Sequence, residues 1–220
     1  RNYIRPYAYL PLISLYNQNR AAFQAANVTL NDLFKGYDIE KSHNFDLGLR
    51  ARSDLLEFSS TIFYAKHRNL LTVVSDPRVI IGGKPASYQQ NVGKATGYGA
   101  DLELNLFLKD NITLFMNPTY THLTYDENIS YQGAALHTKG RQVVDTPRWL
   151  LKTGVIWRYG GFEVMPSLKY VGKRYGDAEH REEVSSYCVA NLRASYTREK
   201  FWFSKEARLS FELDNILNKK

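Results

Sequence analysis

Every second residue from Ala100 to Leu108 in the stretch GYGADLELNLFLKDN is aliphatic. Ala100, Leu102, Leu104, Leu106 and Leu108 share one parity; Asp101, Glu103, Asn105 and Phe107 share the other. Successive side chains of an extended chain point to opposite faces, so this period of two specifies a β-strand with one apolar face. What that face touches decides the fold: a second sheet in a soluble sandwich, or lipid in a membrane barrel.

The pattern recurs from residue 44 onward. Phe45, Leu47, Leu49 and Ala51 alternate with Asn44, Asp46, Gly48 and Arg50, and a turn at Ser53-Asp54 leads to Leu56, Phe58, Ile62 and Tyr64. The opening stretch turns at Lys109-Asp110-Asn111 into Ile112, Leu114, Met116, Pro118 and Tyr120. A third pair joins Trp149–Trp157 to Phe162–Tyr170 through Gly160-Gly161, a dipeptide suited to the positive φ of a tight hairpin. The last pair places Ala190, Leu192, Ala194 and Tyr196 against Ala207, Leu209, Phe211 and Leu213. Between these hairpins lie longer connections, read as loops over about residues 68–87, 125–146 and 173–186. Residues 1–43 read as one Pro-limited strand and a short helical stretch around Phe23, Ala26, Leu30 and Leu33, within another long loop.

No run reaches the roughly 20 apolar residues a membrane-spanning helix needs, and residues 1–16 lack the organisation of a signal peptide. The single cysteine, Cys188, cannot form an internal disulfide, and no Cys/His cluster has metal-ligand spacing. The net charge of +7 is spread along the chain rather than gathered in a basic block, which argues against nucleic acid as a partner. Three features favour lipid on the apolar face. The strands run nine or more residues, near the length of a tilted membrane strand. The chain has 16 tyrosines, and aromatic residues of the apolar parity sit at strand ends: Trp157, Tyr159 and Phe162 beside a short turn, Tyr120 and Tyr170 towards the long loops. The opposite faces mix Asp, Glu, Arg and Asn with small residues, as a hydrated lumen would. The expected fold is all-β: antiparallel up-and-down strands forming part of a large transmembrane barrel, with short periplasmic turns and long extracellular loops.

Six segments in order, over roughly residues 37–219, carry a family resemblance: YDIEKSHNFDLGLR, TIFYAKHRNLL, YQQNVGKATGYGADLEL, DTPRWLLKTGVIWRY, YVGKRYGD and LDNILNKK. Together they resemble the C-terminal part of the β-barrel of TonB-dependent outer-membrane receptors. Asp101 stands where the family often has Glu, which keeps the charge. The resemblance implies a partial β-barrel domain over residues 1–220, lacking a plug domain and a closing strand, from a receptor in the outer membrane of a Gram-negative bacterium. It further implies membrane lipid around the barrel, a small-molecule ligand such as a ferric siderophore at the loops, and energy from the TonB complex through the plug. A soluble β-sandwich module, which would bury Leu102, Leu104 and Leu106 under a second sheet, and a passive porin are the alternatives.

No nucleophile elbow, zinc-protease motif or phosphate-loop spacing occurs, so neither an enzyme nor a cofactor is expected. Asp101 and Glu103, with Asn105, Asn117, Arg193 and Glu212, are read as lumen lining, the carboxylates bonded to Arg or Lys on neighbouring strands. The extracellular-loop candidates for ligand binding are Tyr131, His137, Arg141, Tyr175, His180 and Arg181, because an anionic iron chelate is held by cations and stacking aromatics. The acidic-basic run DAEHREEV, which contains His180 and Arg181, otherwise reads as a solvated surface.

Overall fold

The computed structural model describes residues 10–35, 39–109 and 111–219. Eight antiparallel strands form one sheet in strict chain order: β1 (Lys41–Arg52), β2 (Leu56–Ile81), β3 (Lys84–Leu108), β4 (Ile112–Tyr125), β7 (Trp149–Tyr159), β8 (Phe162–Val171), β11 (Tyr187–Phe201) and β12 (Ser204–Leu213). Two small ladders, β5 (Ile129–Tyr131) with β6 (Ala134–Leu136) and β9 (Arg174–Tyr175) with β10 (Glu183–Val184), lie within the long connections. The main sheet is an open arc of barrel wall.

The register carries the apolar parity unbroken from strand to strand. Leu47, Ile62, Ala100, Tyr120 and Trp149 form one transverse row; Ala51, Phe58, Leu104, Met116, Thr153, Leu168 and Ala190 form another. Among the described residues nothing covers this outward face: Phe45 is 66% exposed, Leu49 65% and Phe211 56%. Among the described residues no second sheet lies over Leu102, Leu104 and Leu106, as a sandwich requires. The aromatic residues bracket the face, with Trp157, Tyr159, Phe162 and Tyr196 at the short-turn end and Tyr98, His122, Tyr120 and Trp149 at the loop end.

The inward face carries Asp101, Glu103, Asn105, Asn117, Arg193 and Glu212, and Lys152 lies directly opposite Lys169. Arg193 bonds Glu212 at 2.7 Å, and Glu163 bridges Arg158 at 2.7 Å and Arg208 at 3.6 Å. Asp101 and Glu103 differ from expectation: among the described residues neither has a cationic partner, because Thr61 and Thr119 flank Asp101 and Ser59 stands opposite Glu103. Two inward rings lie over glycines. The Phe115 ring would stand 2.8 Å from a Cβ on Gly154, and a Cβ on Gly99 would collide with the Phe63 ring and the Tyr120 carbonyl.

The connection expected over residues 68–87 is instead strand. β2 and β3 run on as one long hairpin that turns at Gly82 and Gly83, with φ of 58° and 81°. The alternation is hidden in the sequence because it changes parity. Two opposed bulges, at Asn69 on β2 and Val92 on β3, each insert one residue, so the pairing sum is restored while inward and outward residues exchange. Below the bulges Ile62 and Tyr64 point outward; above them Leu71 and Val73 do, and Leu70, Thr72, Val74 and Asp76 are buried.

The N-terminal region and the β5–β6 ladder together bury them. The Pro-limited strand expected within residues 1–43 is not seen ahead of β1 among the described residues, where α1 (Leu10–Gln18) is helical instead; residues 1–9 lie outside the described residues. Pro11 fits the first turn, where its missing N–H has no intrahelical acceptor. The helical stretch around Phe23 to Leu33 is two helices, α2 (Arg20–Ala25) and α3 (Leu30–Lys35), interrupted where Asn27 takes φ of 51°. Thr29 starts α3 through a capping box: its hydroxyl accepts from the Asp32 N–H at 3.2 Å, and the Asp32 carboxylate accepts from the Thr29 N–H at 3.0 Å. Leu12, Phe23, Val28 and Leu33 pack with Val74, Val79, Ala86, Tyr88, Ile129 and Leu136 into one core over the loop end of the wall.

Candidate functional site

The loop end is closed by polar chemistry as well as by this core. Asp76 is fully buried near the hairpin tip; Arg78 donates to its carboxylate at 2.7 and 2.9 Å and the Tyr88 hydroxyl at 2.6 Å. Burial alone would raise the Asp76 carboxyl, but the bonds from Arg78 and Tyr88 outweigh it and hold the group below the usual carboxylate range. The Tyr131 hydroxyl stands 3.3 Å from that of Tyr88, which ties the β5–β6 ladder to the tip. Tyr131, expected as an accessible stacking aromatic, is thus a core residue, 9% exposed.

Beside this cap a cavity of about 510 Å³ opens between residues 140–149 and 170–180. β7 and β8 are antiparallel, so the chain entering one and the chain leaving the other meet at the same end. That geometry brings Arg148 and Trp149 of DTPRW against Tyr170 and Lys173 of YVGK. Arg141, Tyr175 and His180 complete the wall. The Tyr175 and His180 rings are stacked 3.6 Å apart and 3° from parallel, and the His180 Nε2 stands 2.9 Å from the Gln142 carbonyl, so an Nε2–H can donate to it. Gly172 lies hard against Trp149: a Cβ there would stand 2.9 Å from the Trp149 carbonyl oxygen.

The cavity is electropositive. Arg141 donates to a neutral backbone carbonyl, that of Glu179. Arg148 has no ion-pair partner among the described residues, and Lys173 meets Glu183 at 3.1 Å with its ammonium 5.4 Å from the Tyr175 ring centroid. The bond to Tyr175 and then the pair with Glu183 raise the Lys173 pKa, so the ammonium stays charged across the neutral range. Three cations around a stacked aromatic pair can hold an anion with delocalised or bidentate oxygens.

The six loop candidates are therefore divided. Arg141, Tyr175 and His180 line this cavity. Arg181 lies on a neighbouring one of about 740 Å³ and is neutralised by Asp177 at 2.9 Å and Glu179 at 3.0 Å. His137 is exposed beside it, its N–H donating to Glu179 at 3.3 Å. The run DAEHREEV is only partly solvated: Ala178 is buried and the Asp177 carboxylate accepts two backbone N–H groups, from Arg181 and Glu182. Arg148 and Lys173 escaped the sequence reading although both lie in segments that carried the resemblance; their signal was the convergence of two strand ends.

The family model described as TonB dependent receptor-like, beta-barrel matches residues 4–216. The chain belongs to that family. As a TonB-dependent receptor barrel it lies in the Gram-negative outer membrane, with lipid against its outward face. No curated relative matches the sequence. Among solved structures, the ferric yersiniabactin uptake receptor FyuA from Yersinia pestis aligns over 82% of this chain and 25% of its own, at 18% identity and a TM-score of 0.58. BauA, the ferric preacinetobactin receptor from Acinetobacter baumannii, aligns over 82% and 26%, at 17% identity and 0.59. The ferric citrate transporter FecA aligns over 93% and 29%, at 16% identity and 0.63. These likenesses are of fold. The chain spans about a quarter of the length of the receptors it resembles.

Proposed function

We propose that this chain is a contiguous portion of one barrel domain, and that its receptor takes up a scarce anionic metal chelate, a ferric siderophore, energised by the TonB complex. The observation that carries the reading is the cavity bearing Arg141, Arg148 and Lys173 beside the Tyr175–His180 stack. Arg141 and Arg148, which no carboxylate matches among the described residues, favour an anionic solute although Lys173 is paired with Glu183, and the rings offer a flat apolar contact to its chelating arms. The inward residues Asp101, Glu103, Asn105, Asn117, Arg193 and Glu212 would line the path below. His137 and Arg181 would act from the loop rim, while Tyr131 would act only by holding the cap. Transport, not chemistry on the solute, is the activity, and no cofactor takes part.

The test is equilibrium binding and cellular uptake of iron-loaded hydroxamate, catecholate and carboxylate chelates by the receptor that contains this chain. Arg148→Ala is expected to weaken the preferred chelate by about tenfold, the scale of one charged hydrogen bond, with folding intact. Uptake that persists without TonB would sink the energised reading. Binding that ignores both Arg148→Ala and added salt would remove the cavity from it.

A further inference from the structure

The inner face of β7 and β8 carries a second cationic place below the cavity. Arg148 and Lys173 line the cavity itself. Four residues further in along each strand, Lys152 stands directly opposite Lys169. That is a step of roughly 13 Å at about 3.3 Å per residue, and the apolar pair Leu150 and Val171 lies between. The two sets of cations are therefore separate positions on one wall.

Neighbouring strands lie about 4.8 Å apart, and like charges directly opposite one another destabilise a sheet. Lys152 and Lys169 are both exposed, and among the described residues neither has an ion-pair partner. Asn117 flanks Lys152 on β4 and Val189 flanks Lys169 on β11, so the row supplies no adjacent carboxylate. Glu103 on β3 is two strands away from Lys152, roughly 10 Å between backbones. The lysines border a cavity of about 450 Å³ that also takes in Asn117, Thr119, Ser167 and Asn191. The Asn191 Oδ1 accepts from the Asn215 N–H at 2.9 Å, which fixes the carboxamide and leaves its NH2 group to donate. One pair further in, the Phe115 ring lies over Gly154, where a Cβ would stand 2.8 Å from it, and forms a floor. Two ammonium groups beside hydrogen-bonding side chains, with no carboxylate in their own row, draw their counter-charge from outside the wall.

We propose that Lys152 and Lys169 form a second anion subsite on the inner wall, which takes the anionic oxygen groups of the solute after it leaves the upper cavity. The inference rests on the proposed uptake of an anionic chelate and adds to it a second stop on the way inward. The upper cavity sets which solute is captured, and the lysine pair sets how fast it moves on.

The experiment uses the receptor that contains this chain. In neutral detergent, lysine amines are acylated with and without saturating citrate, an anion free of iron, and each site is read by mass spectrometry. Citrate should slow acylation of Lys152 and Lys169 about tenfold, the scale of one charged hydrogen bond, and leave the outward Lys66 unchanged. In cells, Lys152→Gln/Lys169→Gln should lower the maximal rate of ferric chelate uptake about tenfold, whereas Arg148→Ala should act chiefly on the half-saturating concentration. Should the double variant fail to fold, acylation of the wild type carries the test alone. Citrate protection without uptake of any ferric chelate would sink the uptake reading and keep the anion subsite. Normal uptake by the double variant, or equal protection of Lys66, would overturn the subsite and leave the uptake reading standing. Amines that resist acylation before citrate is added would also overturn it, by showing that carboxylates elsewhere in the receptor already hold the pair.

Discussion

The wall and the cap solve the burial problem in opposite ways. In the wall nothing among the described residues covers the outward face of β1, β2, β3, β4, β7, β8, β11 and β12, and a hydrocarbon solvent does for it what a core does elsewhere. In the cap, Phe23, Leu33, Val74 and Val79 are 0% exposed and depend on one another. The same strands β2 and β3 pass through both regions. The comparison teaches that apolar side chains in one hairpin can be held by different partners, and substitutions there should have different consequences.

Phe23→Ala tests the cap side most severely. It empties a fully buried site among α1, α3 and β2 and should cost about 3–5 kcal/mol of cap stability, read as faster hydrogen exchange in residues 70–90. Equal loss of protection in β7 and β8 would show that cap and wall melt together and so erase the distinction. Asp76→Ala should cost about 3 kcal/mol in the same assay, because it leaves the Arg78 guanidinium and the Tyr88 hydroxyl without their acceptor. On the wall, Leu104→Arg places a charge on the outward face and should cost about 2–4 kcal/mol in lipid vesicles. Leu104→Ala should cost about 2 kcal/mol, the transfer term of three carbons without a cavity term, since lipid closes over the missing methyl groups where protein could not. A loss near that of Phe23→Ala would mean that the outward face meets protein after all.

Acid should separate the regions with the smallest perturbation. The Asp76 carboxyl is held below its ordinary value of 3.8, so its contribution is complete above that value and is lost as pH falls through the lower folded one. Hydrogen exchange should therefore quicken around Asp76 and Tyr88 below about pH 4 while β7 and β8 keep their protection. Asp76→Asn should remove that pH dependence.

Much of the wall was legible because a period of two is written in the sequence without interruption, from Phe45 to Ala51, Ala100 to Leu108 and Ile112 to Tyr120. The upper hairpin was not, because the bulges at Asn69 and Val92 break the parity that the eye follows. Tyr131 looked like a loop aromatic because nothing local marks its distant partner, Tyr88. Half of the loop candidates, Arg141, Tyr175 and His180, are brought to one cavity, whereas Arg148 and Lys173 become visible there only through the pairing of β7 with β8.

The opposed bulges have a consequence for how such receptors diversify. Because each strand gains one residue at the same level, lengthening or replacing the hairpin above leaves every partnership below in place. The level of Asn69 and Val92 is a natural splice line, above which a new binding head could be grafted while the part that inserts into the bilayer is inherited intact.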